Sequence, residues 1–288
     1  MDGRVVVVTG ASSGLGERFA RVLSGVGARL VLAARRTDRI EALADELPNA
    51  LAVSVDVTDD GGPQHLIDAT VAHFDQIDVL VNNAGIGITG PVEVQDMEAT
   101  RLAFDTNVLG YHRLARAVLP GMRARKQGHI FAVSSQLGRV IVPYAGHYSA
   151  TKFAVEAMFE QLAYELVPHN VGVTIIEPGG YPTKVWVNRN RYSLELRERA
   201  DQAHLSGYPQ VVARMGAEDG SGRSADPMDI PHAMARVLGM APGTRPVRLP
   251  VSGGSIPQVA INEVSAKTQV GWLGESGYGP LIKAVHNV

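Results

Sequence analysis

Residues 5–16 read VVVVTGASSGLG, and their order leaves few ways for the chain to fold. Four valines in a row are β-branched on both faces, which suits a strand buried on both sides of a sheet. Gly10, Gly14 and Gly16 then remove side chains where the backbone must turn tightly, approach a ligand and let a helix pack close to the sheet. A helix starting near Leu15 follows and aims its free N–H groups and positive dipole end at any anion above the turn. A plain turn would also use glycines. Placed between a first strand and a helix, with a second strand to come, these have the layout of a dinucleotide phosphate loop.

The same alternation continues. RLVLA, LAVSVD and IDVLVNN are short apolar runs, and DRIEALADEL and HLIDATVAHF between them have helical spacing. Repeated βαβ units place parallel strands in one sheet with helices on both faces. A helical stretch from Met97 to Lys126, the strand HIFAVSS, another helix and the strand VGVTIIEP extend the pattern, and PVRLP supplies a seventh strand. The expected fold is α/β, a doubly wound parallel seven-stranded sheet of Rossmann type. With 288 residues, 45% of them hydrophobic, the chain suits one large core, so residues 1–288 are read as a single domain. The pattern breaks at residues 183–226, which are rich in charge and small residues. Two readings stand there, a solvated helix pair or a lid over a pocket at the strand ends. Residues 253–288 form an extension whose role the sequence leaves open, packing on the lid or on a second subunit being the alternatives.

Several function classes are disfavoured. A formal charge of −2 with no block of like charge offers nothing to nucleic acid. No cysteine means no disulfide, no thiolate nucleophile and no cysteine-ligated metal. Nine histidines include no H-x-x-x-H spacing, so no metal is expected. The valine run begins at residue 5, which leaves no room for a signal peptide, and no apolar run is long enough to span a bilayer. A soluble, cytoplasmic protein is the expectation.

Which dinucleotide the loop would hold is read at the end of the second strand, where an acid would bind the ribose hydroxyls of NAD. That strand ends LVLAARR. Arg35 and Arg36 offer guanidinium groups suited to a 2′-phosphate, which favours NADP(H); two solvated loop arginines are the alternative. Further along, HYSATKFA puts Tyr148 and Lys152 four residues apart, on one face of a helix. A cation fixed beside a phenol eases loss of its proton. Such a pair arises by chance often enough that it decides nothing alone. It gains weight from Ser134 and Ser135 at the end of HIFAVSS, since active sites of parallel sheets gather at the carboxyl ends of strands.

Glycine turn, serine strand and Tyr-x-x-x-Lys helix, in this order and spacing, resemble the short-chain dehydrogenase/reductase family over roughly residues 3–250. TGASSGLG is similar to the family's TGxxxGxG turn, DVT at Asp56–Thr58 to its adenine-contacting loop, and NNAG at Asn82–Gly85 to its fourth-strand motif. Asn107 in DTNVLG and PGGYPT at Pro178–Thr183 match its helix asparagine and nicotinamide loop. The resemblance implies a catalytic set of Asn107, Ser135, Tyr148 and Lys152, with Ser135 chosen over Ser134 by its thirteen-residue spacing to the tyrosine. In it Tyr148 is the general acid and base, Lys152 lowers its pKa and holds the nicotinamide ribose, Ser135 binds the reacting oxygen, and Asn107 keeps a backbone kink and a proton-passing water. It further implies that the cofactor lies along Gly10, Ser12, Ser13, Gly14, Leu15, Gly16, Arg35, Arg36, Asp56, Val57, Asn83, Ala84, Gly85, Tyr148, Lys152, Pro178, Gly179, Tyr181 and Thr183.

Tyr181 departs from the family's small aliphatic residue, and its ring is expected to wall the substrate pocket. His147 reads as an ordinary polar contact, and Tyr144 and Trp186 as packing residues that could also line a pocket. The implied activity is NADP(H)-dependent interconversion of a carbonyl and a secondary alcohol, and the implied assembly a homodimer or homotetramer paired through the helices of Asn107 and Tyr148. The family's habits suggest an apolar pocket for a lipid-like, aromatic or polyketide-like carbonyl. A non-catalytic dinucleotide-binding regulator or scaffold on the same fold is the alternative.

Overall fold

The computed structural model describes residues 3–218 and 220–288. Its first half alternates strictly: β1 (Val5–Thr9), α1 (Gly14–Gly25), β2 (Arg29–Ala34), α2 (Thr37–Glu46), β3 (Ala50–Ser54), α3 (Gly62–Phe74) and β4 (Val79–Asn82). There follow α4 (Met97–Phe104), α5 (Gly110–Arg125), β5 (Gly128–Val133), α6 (His147–Leu166) and β6 (Val171–Pro178). The chain ends with α7 (Val185–Arg199), α8 (Gln202–Leu205), α9 (Pro209–Val212), α10 (Asp229–Gly239), β7 (Arg248–Val251), α11 (Gln258–Leu273) and α12 (Gly279–His286).

The seven strands form one parallel sheet in the order β3-β2-β1-β4-β5-β6-β7. The order reverses between β1 and β4, which opens a crevice at their carboxyl ends. All four valines of β1 are fully buried because alternate side chains enter opposite layers. Val5 and Val7 pack with Leu66, Tyr111, Leu114 and Phe159 from α3, α5 and α6, while Val6 and Val8 pack with Phe19, Leu23, Ile40 and Met234 from α1, α2 and α10. Burying aliphatic side chains of this size stabilises the fold by about 1.5–3 kcal/mol each.

Two segments add detail to the sequence-based expectation. The helical stretch from Met97 carries a π-helical turn at Asp105–Leu109 that separates α4 from α5. Asn107 is the reason: its carboxamide leaves the helix to bind the loop after β4, and the extra residue in the turn accommodates that. The C-terminal extension packs on its own sheet, and its first residue, Gly253, lies against Ala225 at the end of the 183–226 segment. Gln258 and Asn262 of α11 bind Glu177 at the end of β6, and Ile282 of α12 is buried against α6, where His286 meets Tyr164. Among the described residues, no helix is long and apolar enough to cross a membrane.

Candidate active site

A cavity of about 820 Å³ opens at the carboxyl ends of the strands, between the sheet and α7. Its floor begins with the glycine turn. A Cβ on Gly16 would collide with the Gly10 carbonyl, and one on Gly10 would lie 2.9 Å from the Ala84 Cα, so the turn and the loop after β4 approach as closely as backbones can. Thr9 ties them together: its hydroxyl accepts from Asn83 N at 3.0 Å and donates to Val81 O, while the Asn83 side chain donates to Thr9 O at 2.8 Å. Ser13 precedes α1 in extended backbone, and its side chain does not cap the helix. The first N–H groups of α1 therefore keep their capacity for an anion.

Beside this turn, Arg36 donates to the hydroxyls of Ser12 and Ser13 at 2.8 and 2.7 Å. Arg35, more than half exposed, lies 3.5 Å from Asp56, whose other oxygen accepts from Thr58 N and Oγ1. Burial and the neighbouring Arg39, Arg35 and Arg191 charges lower the pKa of Arg36, the signature of crowded cations. The arrangement offers donors to a dinucleotide: a tight backbone cradle, an open helix end and clustered guanidinium groups. Val57, Gly85, Pro178, Gly179, Tyr181 and Thr183 line the same cavity, as do Gly14 and Leu15. Gly16 is not in that wall; it sits behind the turn, where it lets the helix close on Gly10.

The residues expected to be catalytic lie across the cavity. Ser135, Tyr148 and Lys152 all line it. The Ser135 hydroxyl accepts from Leu137 N at 3.1 Å, which orients it, and stands beside the half-buried Tyr148. Ser134 lines the same cavity and is buried, with its hydroxyl near Gly138 and Glu156. Lys152 stacks under the tyrosine, its ammonium 5.6 Å from the ring centroid, and donates to Val133 O at 2.8 Å. Burial drives its pKa down to about 8 although the Glu156 carboxylate one turn on opposes the shift. Burial raises the pKa of Tyr148, with the Ser135 hydroxyl and the Arg189 charge pulling the other way. Asn107 lies under the cavity and is fully buried. It accepts from Ile86 N and donates to Ile86 O, both at 2.8 Å, and its amide also donates to Thr151 Oγ1 at 3.1 Å.

Other singled-out residues have distinct fates. The Tyr181 ring is 3% exposed and packs in the core layer with Ile230, its hydroxyl donating to Asp229 at 3.3 Å, so it contributes far more packing than pocket wall. His147 makes the polar contact expected of it, with Thr100 at 2.9 Å. Tyr144 stands exposed at the cavity rim with a positive φ of 63°. Trp186 lines the cavity and is buried, its indole donating to Tyr181 O at 2.7 Å. Arg189, one turn from Trp186, is a wall residue that the sequence reading did not single out; their i, i+3 spacing on a helix was the available signal. Helix α7 is anchored through Ser193, which accepts from Thr89 N at 3.0 Å, and Arg199, which donates to Asp96 at 2.6 Å. Among the described residues no cluster of histidine or carboxylates could hold a metal ion.

The model of the short chain dehydrogenase family matches residues 4–193. The bovine (Bos taurus) dehydrogenase/reductase SDR family member 7B is 33% identical over 255 residues, 83% of this chain and 78% of that one. A short chain dehydrogenase/reductase from Burkholderia phymatum, solved in complex with NAD, superposes with a TM-score of 0.75 at 25% identity, covering 94% of this chain and 95% of its own. An alcohol dehydrogenase from Thermococcus sibiricus, solved with 5-hydroxy-NADP, gives a TM-score of 0.70 at 25% identity over 87% and 96%.

Proposed function

Because the chain belongs to the short-chain dehydrogenase/reductase family of oxidoreductases, whose structural neighbours bind nicotinamide dinucleotides, we propose that it is an NADP(H)-dependent enzyme interconverting a carbonyl and a secondary alcohol, with Tyr148 as general acid and base. The observation that carries this reading is the meeting, in one cavity, of Tyr148, Ser135 and Lys152 with the glycine turn and the Arg35–Arg36 pair.

The nicotinamide would supply or accept the hydride when bound. The chain's own residues handle the oxygen and its proton. Ser135 holds the reacting oxygen, and Tyr148 protonates it in reduction and recovers the proton in oxidation. Burial keeps the phenol protonated until it is used. The Lys152 ammonium beneath it stabilises the phenolate while that exists, and the N–H groups not engaged by Val133 serve the nicotinamide ribose. Asn107 locks the loop after β4 to α6 and so fixes the distance between cofactor floor and tyrosine.

The choice of NADP(H) is supported by the two arginines at the end of β2 and the absence of an acid there. Pairing into a dimer or tetramer is supported by Leu109 and Phe153, which are 47% and 39% exposed on the segments carrying Asn107 and Tyr148; light scattering on the purified protein tests it. Tyr148→Phe is expected to lower turnover of a ketone panel by about 10²–10⁴-fold, with NADPH affinity by fluorescence titration nearly unchanged. Turnover at the parent rate would refute the mechanism. Arg35→Asp should narrow or reverse a preference for NADPH over NADH; equal affinities in the parent would remove the assignment. Tight NADPH binding with no turnover of any carbonyl would favour a non-catalytic role.

A further inference from the structure

We propose that Arg189 binds a carboxylate of the substrate, so that the carbonyl reduced at Tyr148 belongs to an oxo acid and the alcohol oxidised there to a hydroxy acid. The proposal rests on the reading of the cavity as a carbonyl–alcohol site and names its substrate class.

Arg189 is held rigidly in the wall that also contains Tyr148 and Ser135. Its stem crosses Gly87, where a Cβ would lie 3.3 Å from its Cγ and 3.4 Å from its Cδ. The guanidinium stacks on Trp186 at 4.1 Å from the ring centroid, and Trp186 is itself pinned by the Tyr181 carbonyl. Only 16% of the side chain is exposed. Its charge is felt at the Tyr148 hydroxyl.

A guanidinium cannot shed its proton, so one taken out of water must find an anion. Arg189 has half of one. It donates to Glu218 at 2.5 Å, but that carboxylate also accepts from Arg223 at 2.9 Å, and Arg223 stacks on the same indole at 3.9 Å. Among the described residues, two cations share one anion, and Arg214 stands in the same wall. Among the described residues, the Nε of Arg189 is buried without a hydrogen-bond partner. A guanidinium that lines the same cavity as Tyr148 and, among the described residues, shares its carboxylate with Arg223 suits a substrate carboxylate through its charged N–H donors. It also marks this part of the wall as charged, in contrast to the apolar pocket that the family's habits suggest.

With an oxo acid bound, the carboxylate stays ionised on Arg189 throughout. The C=O π bond would break as its carbon gains the hydride that a bound reduced nicotinamide would supply and lose, and its oxygen would gain the Tyr148 proton. Glu218 occupies the edge of the guanidinium that the substrate would use, so it competes for the same donors.

The experiment compares acetoacetate and 4-oxopentanoate with their methyl esters in the purified enzyme with NADPH. The parent should favour at least one acid over its ester in kcat/KM by about tenfold or more. Arg189→Met should collapse that ratio, Arg189→Lys restore part of it, and Glu218→Gln raise it. Calorimetric titration of malonate into the NADP⁺-loaded protein should detect binding in the parent and not in Arg189→Met. Equal acid and ester turnover in the parent, or a ratio that Arg189→Met leaves unmoved, would overturn the proposal. Absence of turnover for every carbonyl would instead count against the underlying reading, and the malonate titration would then decide alone whether Arg189 takes a carboxylate.

Discussion

Two arginine–carboxylate clusters flank helix α6, and among the described residues their charge balance differs. At the cavity, Arg189 and Arg223 share the half-exposed Glu218. Behind the sheet ends, Glu156, Glu160 and Glu177 surround the single guanidinium of Arg248, at 2.9, 2.6 and 3.4 Å, with 6% of the arginine side chain exposed. An excess of buried carboxylates has an internal remedy, because a carboxyl group can take up a proton. Burial and the nearby Glu156 push Glu177 up to about 8, Asn262 opposing with two donated hydrogen bonds. An excess of guanidinium has no such remedy. The rear cluster can therefore reduce its excess charge within the chain, whereas, among the described residues, the front one holds two guanidinium groups on one carboxylate.

The largest expected effect on this contrast is on stability. Arg248→Met leaves three carboxylates around an apolar side chain and should cost about 3–5 kcal/mol in urea unfolding, whereas Arg223→Met, at a partly exposed pair, should cost within about 1 kcal/mol. Similar losses at the two sites would erase the distinction.

A smaller effect follows from the raised carboxyl of Glu177. Between the ordinary carboxylate range and about pH 8 the folded state holds a proton that the unfolded state has released. Stability is thus greatest below that window and declines as pH rises through it, with a slope of up to about 1.4 kcal/mol per pH unit for one proton. The charged groups facing Glu177 are Glu156, Arg248 and Arg139. Glu177→Gln should flatten the decline in unfolding experiments from pH 5 to pH 9; an unchanged slope would assign it to other groups.

The smallest effect links the clusters. Lys152 is a cation only below about pH 8, so carbonyl reduction should fall off above that pH. Glu156 holds the lysine pKa up, and Glu156→Gln should move this alkaline limb to lower pH by less than about one unit. A limb that stays in place would show that the rear cluster does not reach the lysine.

Much of the cavity was legible in the sequence because its signals are local. Tyr148 and Lys152 share a helix face through the period of the helix, and the strand–glycine–helix order of residues 5–25 is a contiguous pattern. The choice of Ser135 over Ser134 rests on the resemblance, through its spacing to Tyr148, and both serines line the cavity. The front cluster was not legible, since Arg189 meets Glu218 across 29 positions in a segment with no periodicity of its own. The rear one hides further, with Asn262 reaching Glu177 across 85 positions from a helix that matched no motif.

From residue order alone, this chain's sheet, its phosphate-binding turn and the candidate proton-transfer pair could be derived, because each depends on neighbours a few positions apart and on fixed backbone periods. Which arginines crowd one carboxylate, where the tail docks and which carboxyls burial raises emerged only from the folded chain. Those properties depend on burial and on partners brought together from distant segments, and no local pattern encodes either.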